Sequence, residues 1–133
     1  MTIDPIAQSI VDWTRLKIKL HFSDRVLYFK ERQIWWTAVG QNIGDEQNGK
    51  NTNFERPVLI LKKFNMNMFL GVPISTKIRD DQYKYVFINN GTQFSANLSQ
   101  IRVFSSKRLL RKVGVMENAD FGQVKEVLKN GIK

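Results

Sequence analysis

Residues 33–64 read QIWWTAVGQNIGDEQNGKNTNFERPVLILKKF, and this stretch decides the fold. Gln33 to Val39 is dense in aromatic and β-branched residues, which suit a pleated, half-buried surface and predict a strand. Trp35 and Trp36 alternate across that strand, so one of them faces the core. Gly40 to Arg56 is polar and carries three glycines and four asparagines, so it reads as a long loop. Such a loop in a compact domain is usually functional or mobile. Pro57 to Phe64 is an apolar run that predicts a buried strand.

Outward from there, the chain continues as β. Asn65-Met66-Asn67 turns it, and Met68 to Ile74 (MFLGVPI) returns as the partner strand. Ser75 to Gln82 is a second polar loop. Tyr83 to Ile88 is a strand, Asn89-Asn90-Gly91 a strong hairpin turn, and Thr92 to Leu98 the return. Gln100 to Phe104 predicts a short strand, Ser105 to Leu110 a helical turn, and Lys112 to Met116 a last strand. Asn118 to Lys129 predicts a closing helix, capped by Asn118 and stopped by Gly131. Phe121, Val124, Val127 and Leu128 form its apolar stripe.

In the other direction, Asp4 to Leu20 places Ile6, Ile10, Trp13, Leu16 and Leu20 at helical spacing. Asp4 before Pro5 is a side-chain cap followed by proline at the first helical position. Arg25 to Lys30 reads as a linker or a first strand. The whole pattern predicts an α+β chain, mainly β: a small, partly open antiparallel barrel with a helix at each end. Residues 1–30 form a helical extension and 31–133 the barrel domain.

Composition sets limits on function. The 133 residues are 42% hydrophobic and 25% charged, as in a soluble globular domain. No apolar run approaches 18 residues, so no membrane span is expected. The N-terminus has no basic segment before an apolar stretch, which argues against a secretory signal. Cysteine is absent, which excludes disulfides, thiolate zinc sites and cysteine nucleophiles, and suits a cytoplasmic location. The single histidine, His21, excludes a two-histidine ribonuclease mechanism within one subunit. Lys and Arg number 21 against 12 Asp and Glu, a net charge of +9 that favours a polyanionic partner.

The candidate chemistry sits in the two polar loops. Glu46 and Arg56 lie near the ends of the glycine-rich loop, and Ser75 and Thr76 end the next hairpin. Strands 57–64 and 68–74 put Arg56 and Ser75 at the same end of one hairpin. That set suits phosphodiester cleavage in RNA, whose 2′-hydroxyl is a built-in nucleophile. The reaction needs a base, a cation for the charge developing at phosphorus, and an acid for the leaving oxygen. Arginine matches phosphate oxygens bidentately. Taken alone, these residues are also ordinary solvated loop positions. Asp80-Asp81 reads as a solvated turn rather than a metal site, and no metal or other cofactor is expected. The basic run Lys107-Arg108-Leu109-Leu110-Arg111-Lys112 suits either phosphate contact or a solvated turn.

The ordered elements IWWTAVGQNIGDEQNGK…FERPVLIL, MFLGVPISTK and LSQIRVFSSKRLLRKVG, then a terminal helix, resemble the MazF/PemK toxins of type II toxin–antitoxin systems. The resemblance runs from about Gln33 to Lys129. It implies a half-open SH3-like barrel, a homodimer, and a metal-independent endoribonuclease. Such an enzyme cuts single-stranded mRNA, leaving a 2′,3′-cyclic phosphate and a 5′-hydroxyl. It also implies an acidic antitoxin partner. By position, Arg56 before Pro57 matches the family's catalytic arginine, and Ser75 its catalytic threonine, with Thr76 beside it. Glu46 matches the loop glutamate proposed as a base, and Gln47 its neighbouring glutamine. Arg102 sits in the Q-I-R element near the RNA surface. Lys77 and Arg79 join Gln47 and Arg102 as expected RNA contacts. Three departures stand out: extra residues Lys50 to Glu55 in the loop, serine for threonine at 75, and the N-terminal extension. Two other functions fit the same barrel: a gyrase poison like CcdB, without catalysis, and a plain nucleic-acid-binding module.

Overall fold

The computed structural model describes residues 4–78 and 81–132. Helix α1 (Pro5–His21) is followed by strands β1 (Gln33–Ala38), β2 (Glu55–Asn65), β3 (Met68–Ser75), β4 (Lys84–Asn89) and β5 (Thr92–Asn97). A 3-10 turn (Leu98–Gln100), β6 (Arg102–Ser105), a second 3-10 turn (Ser106–Arg108), β7 (Leu109–Val115) and α2 (Asn118–Gly131) complete it. The strands form one antiparallel sheet in the order β4-β5-β3-β2-β1-β7, with β6 paired to β3 beside β5. The sheet does not close, as the expected half-open barrel requires.

Alternation along β1 and β2 divides the buried side chains between two faces. Ile34 and Leu59 join a cluster with Val72, Ile74, Phe87 and Met116, closed by Phe121 and Val124 of α2. Trp35, Val58 and Ile60 join a second cluster with Phe29, Phe69, Phe104 and Leu109. There Phe69 packs between Phe29 and Phe104, with ring centroids 5.4 and 5.5 Å away. Trp35 is therefore the tryptophan that faces the core. Trp36 is half-buried beneath the Arg111 guanidinium, 4.9 Å from its ring centroid.

Several boundaries differ from the expected ones. The residue capping α2 is Glu117, in extended conformation, and Asn118 is the first helical residue. Met116 is buried and its amide bonds to the Arg32 carbonyl, which fixes the chain up to that point. The helix starts immediately after this anchor. Strand β7 begins at Leu109, earlier than Lys112, because it pairs with β1 from Thr37 onward. Gln100 lies in a 3-10 turn rather than a strand.

The cap of α1 forms as expected: Asp4 Oδ1 accepts from the amides of Ile6 and Ala7 at 2.8 and 3.3 Å. The expected apolar face of α1 is not buried as a whole. Trp13 alone is buried, at 5% exposure, while Ile6 and Ile10 remain open. Trp13 packs on the Phe54 ring at 5.8 Å and on the backbone of Gly40, which has φ of +102°. A side chain at Gly40 would collide with the indole, so glycine is required there. The helix thus rests on the root of the loop between β1 and β2. Arg25 to Lys30 belongs to neither helix nor sheet, and buries Phe29.

Candidate active site

The hairpin register sets Val58 opposite Pro73, so Arg56 and Ser75, two residues beyond on each strand, reach the same end. Strand β5 then sets Ser95 opposite Ser75. Arg56, Ser75, Gln47 and Lys77 line one cleft of about 260 Å³, together with Lys50, Lys84, Ser95 and Asn97. Among the described residues its lining carries four cations and no carboxylate.

The guanidinium of Arg56 is held in place. Its Nε donates to the carbonyl of Asn48 at 2.7 Å. The Gln47 carboxamide lies beside it, and we assign its oxygen to the guanidinium side, where a nitrogen would face only donors. The oxygen then accepts from Arg56 Nη2 and Nε at 3.1 and 3.2 Å. Partial burial pushes the guanidinium below its ordinary pKa. Ser75 Oγ accepts from the amide of Lys77 at 3.0 Å, which turns the chain out of β3.

The loop that supplies Asn48 and Gln47 is tightly organised. Asn42 donates its side-chain amide to the carbonyls of Val39 and Gln47, at 3.2 and 2.8 Å. Asn48 Oδ1 accepts from the Asn42 amide at 2.6 Å. Gln100, from beyond β5, accepts from the Gln47 amide at 2.8 Å and donates to the Asp45 carbonyl at 3.0 Å. The extra residues close on themselves: the amides and carbonyls of Lys50 and Glu55 bond reciprocally, both at 2.9 Å. The lengthened segment is thus a small side turn, and Arg56 stays anchored at its base. Gly49 admits no side chain, because the Phe54 carbonyl occupies that space.

Glu46 does not line the Arg56 cleft. It lines a larger neighbouring one of about 700 Å³ with Asn42, Asp45, Gln100 and Arg102, and Gln47 borders both. Its Oε1 accepts from the Ile43 amide at 2.9 Å. Partial burial lowers the Arg102 pKa, and the nearby charge of Glu46 opposes that shift. Thr76 is exposed and lines neither of these clefts. Arg79 and Asp80 lie outside the described residues. Asp81 turns its carboxylate to the amide of Tyr83 at 2.8 Å, as a local turn does. Among the described residues no three acidic or histidine side chains gather as a metal site.

The basic run after β6 is only partly free. Arg108 donates to the Ala38 carbonyl at 3.1 Å and lies 5.5 Å from the Trp13 ring centroid. Burial, then the neighbouring Arg102 charge, push its pKa down to about 10. Arg111 forms a two-pronged pair with buried Glu55, at 2.9 and 3.2 Å. These two cations hold structure. Lys50, Lys84, Ser95, Asn97 and Gln100 were not among the expected site residues. Ser95 and Asn97 alternate on β5, but the pairing of β5 with β3 is not written in their spacing.

Comparison with known proteins agrees with this architecture. The chain resembles MazF (Form-I) from Deinococcus radiodurans, with a TM-score of 0.65, 14% identity, and coverage of 82% of this chain and 98% of that one. It resembles an endoribonuclease in complex with its cognate antitoxin from a mycobacterial species, with a TM-score of 0.62, 14% identity, and 80% and 98% covered. It also resembles the Mycobacterium tuberculosis toxin MazF-mt6, with a TM-score of 0.57, 17% identity, and 74% and 94% covered. No curated protein sequence matches it. The family model for the PemK-like, MazF-like toxin of type II toxin–antitoxin systems matches residues 30–132, nearly the whole chain beyond α1, and the chain belongs to that family.

Proposed function

We propose that this toxin is a metal-independent endoribonuclease that cleaves single-stranded mRNA in the cytoplasm. The observation that carries this reading is the cleft that brings Arg56 and Ser75 together among three lysines. An anionic phosphodiester fits that lining by charge. The 2′-oxygen attacks phosphorus and the bond to the 5′-oxygen breaks, giving a 2′,3′-cyclic phosphate and a 5′-hydroxyl. Arg56 stabilises the charge on the phosphoryl oxygens and supplies the proton to the leaving oxygen. Ser75 donates to a phosphoryl oxygen. Glu46 takes the 2′-hydroxyl proton, releasing the Ile43 amide to do so. Gln47, Lys77, Arg79 and Arg102 hold the RNA.

The toxin works as a homodimer in this reading. Phe64, Met66 and Met68 around the β2–β3 turn, and Val103 on β6, are exposed and apolar, as a self-association surface requires. A net charge of +9 suits an acidic antitoxin segment that folds on binding.

The test is cleavage of a long mixed-sequence single-stranded RNA in EDTA by the wild type and Arg56→Ala. Discrete fragments from the wild type alone support the reading. Intact RNA in both lanes overturns it and shifts the weight to gyrase poisoning or simple binding.

A further inference from the structure

Strand β5 brings to the lining of the Arg56 cleft a serine whose hydroxyl has no partner in the fold. Ser95 is 1% exposed, and its Oγ has no hydrogen-bond partner, the one buried side-chain polar atom so left among the described residues. Such an atom costs stability, because it gave up water without replacement. Its position is not random. Ser95 stands directly opposite Ser75 on the neighbouring strand, so both side chains rise from the same face. It lines the cleft with Arg56, Gln47, Lys50, Lys77 and Lys84.

Other features carry less. The open apolar positions on α1 have no indicated occupant. The larger cleft around Glu46 belongs to the RNA-holding surface already described. Ser95 is different, because a buried hydroxyl without a partner belongs to a residue that lines a cationic cleft.

We propose that Ser95 is a phosphate-binding residue, whose hydroxyl donates to a phosphoryl oxygen held between Arg56 and Ser75. This rests on the ribonuclease reading. The chemistry that recognises the ligand is a tetrahedral oxyanion with one oxygen pointed at the strand pair. The guanidinium takes one side of it, the Ser75 hydroxyl a second, and Ser95 the floor. No proton is transferred through Ser95; it orients and holds charge. The hydroxyl left unpaired in the free protein is satisfied in the complex.

Stability and cleavage respond differently to a binding hydroxyl and to a structural one. A hydroxyl that merely supports the fold would lower the melting temperature when removed. Ser95→Ala should melt at the same temperature or higher, since it removes an unpaired buried group. It should nonetheless cleave RNA about tenfold to a hundredfold more slowly, in the lower range for a lost donor to a developing oxyanion. Ser95→Cys restores the volume with a weak donor and should resemble Ser95→Ala. Affinity for a mixed-sequence 2′-O-methyl RNA, whose blocked nucleophile prevents turnover, should fall severalfold in both variants. Wild-type cleavage rates in Ser95→Ala overturn the proposal. So does a lowered melting temperature with unchanged affinity for the blocked RNA. If the wild type cleaves nothing, the ribonuclease reading fails by itself. The blocked-RNA arm then still decides Ser95, and equal affinity in wild type and Ser95→Ala rejects it.

Discussion

Two clefts meet at Gln47, and they are chemically unlike. The Arg56 cleft is the smaller, is lined by four cations, and offers hydroxyls from Ser75 and Ser95. The Glu46 cleft is larger and mixes amides, carboxylates and a single arginine. A phosphate needs cations and hydroxyl donors in a confined space. In the larger cleft the Asn42 and Gln100 amides are engaged in holding the loop. The difference teaches that one loop serves both. Its Asn48 and Gln47 fix the guanidinium, while its Asp45 and Glu46 face the other side. Gln100 ties the loop to the turn after β5, so neither cleft is organised without the other.

That division can be broken by experiment. The largest effect is expected from Arg56→Ala, which removes the anchored guanidinium from the smaller cleft and leaves its three lysines. Its cleavage rate should drop about 10²–10³-fold or more, with the melting temperature nearly unchanged. Single-turnover rates beside thermal melts would show it. A drop of less than tenfold would deny the smaller cleft its catalytic role.

Glu46→Gln comes next. If Glu46 is the base across the boundary, the rate should fall about 10²-fold, at the lower end for a positioned base. Binding to the blocked RNA should hardly change. Unaltered rates would leave the two clefts functionally separate and place the base elsewhere.

Arg102→Ala should act on binding. The expected result is a weaker affinity for the blocked RNA and a salt slope of log K reduced by about one, with the maximal rate nearly intact. A changed maximal rate with an unchanged salt slope would move Arg102 from holding RNA to chemistry.

The smallest effect is a control outside both clefts. Tyr85 donates to Asp120 at 2.7 Å and ties β4 to α2. Burial, then the hydrogen bond and charge of Asp120, raise its pKa to about 12. The folded value lies above the unfolded one, near 10, so this contribution is present below about pH 10. It is lost as pH rises toward 12. Tyr85→Phe should flatten the fall in melting temperature across that window and leave cleavage at neutral pH unchanged. An effect on cleavage would show that the sheet edge and the clefts are coupled.

Much of this was legible in the chain. The aromatic run at 33–39, the apolar run at 57–64 and the turns at 65–67 and 89–91 have local causes, and the structure keeps them as strands and turns. Asp4 before Pro5 dictated the start of α1 for the same reason. Arg56 and Ser75 came together because a hairpin register follows from its turn. Where a neighbour in space competes with local preference, the reading slipped. Asn118 has the right chemistry for a cap, but the buried Met116 set the helix start one residue earlier. Arg108 and Arg111 read as surface charge, yet Trp13 and Glu55 claim them from distant elements.

The sequence by itself determined the strand and helix pattern, the cationic balance and the placing of Arg56 at the end of a hairpin. These depend on side-chain period, on turn chemistry and on residue counts, all of which act over a few positions. Tertiary structure alone decided that Ser95 stands across from Ser75, that Glu46 turns to the neighbouring cleft, and that Gln100 holds the loop. Each of those joins strands or turns far apart in the chain, and such pairings are chosen by the packing of the whole sheet rather than by any local preference.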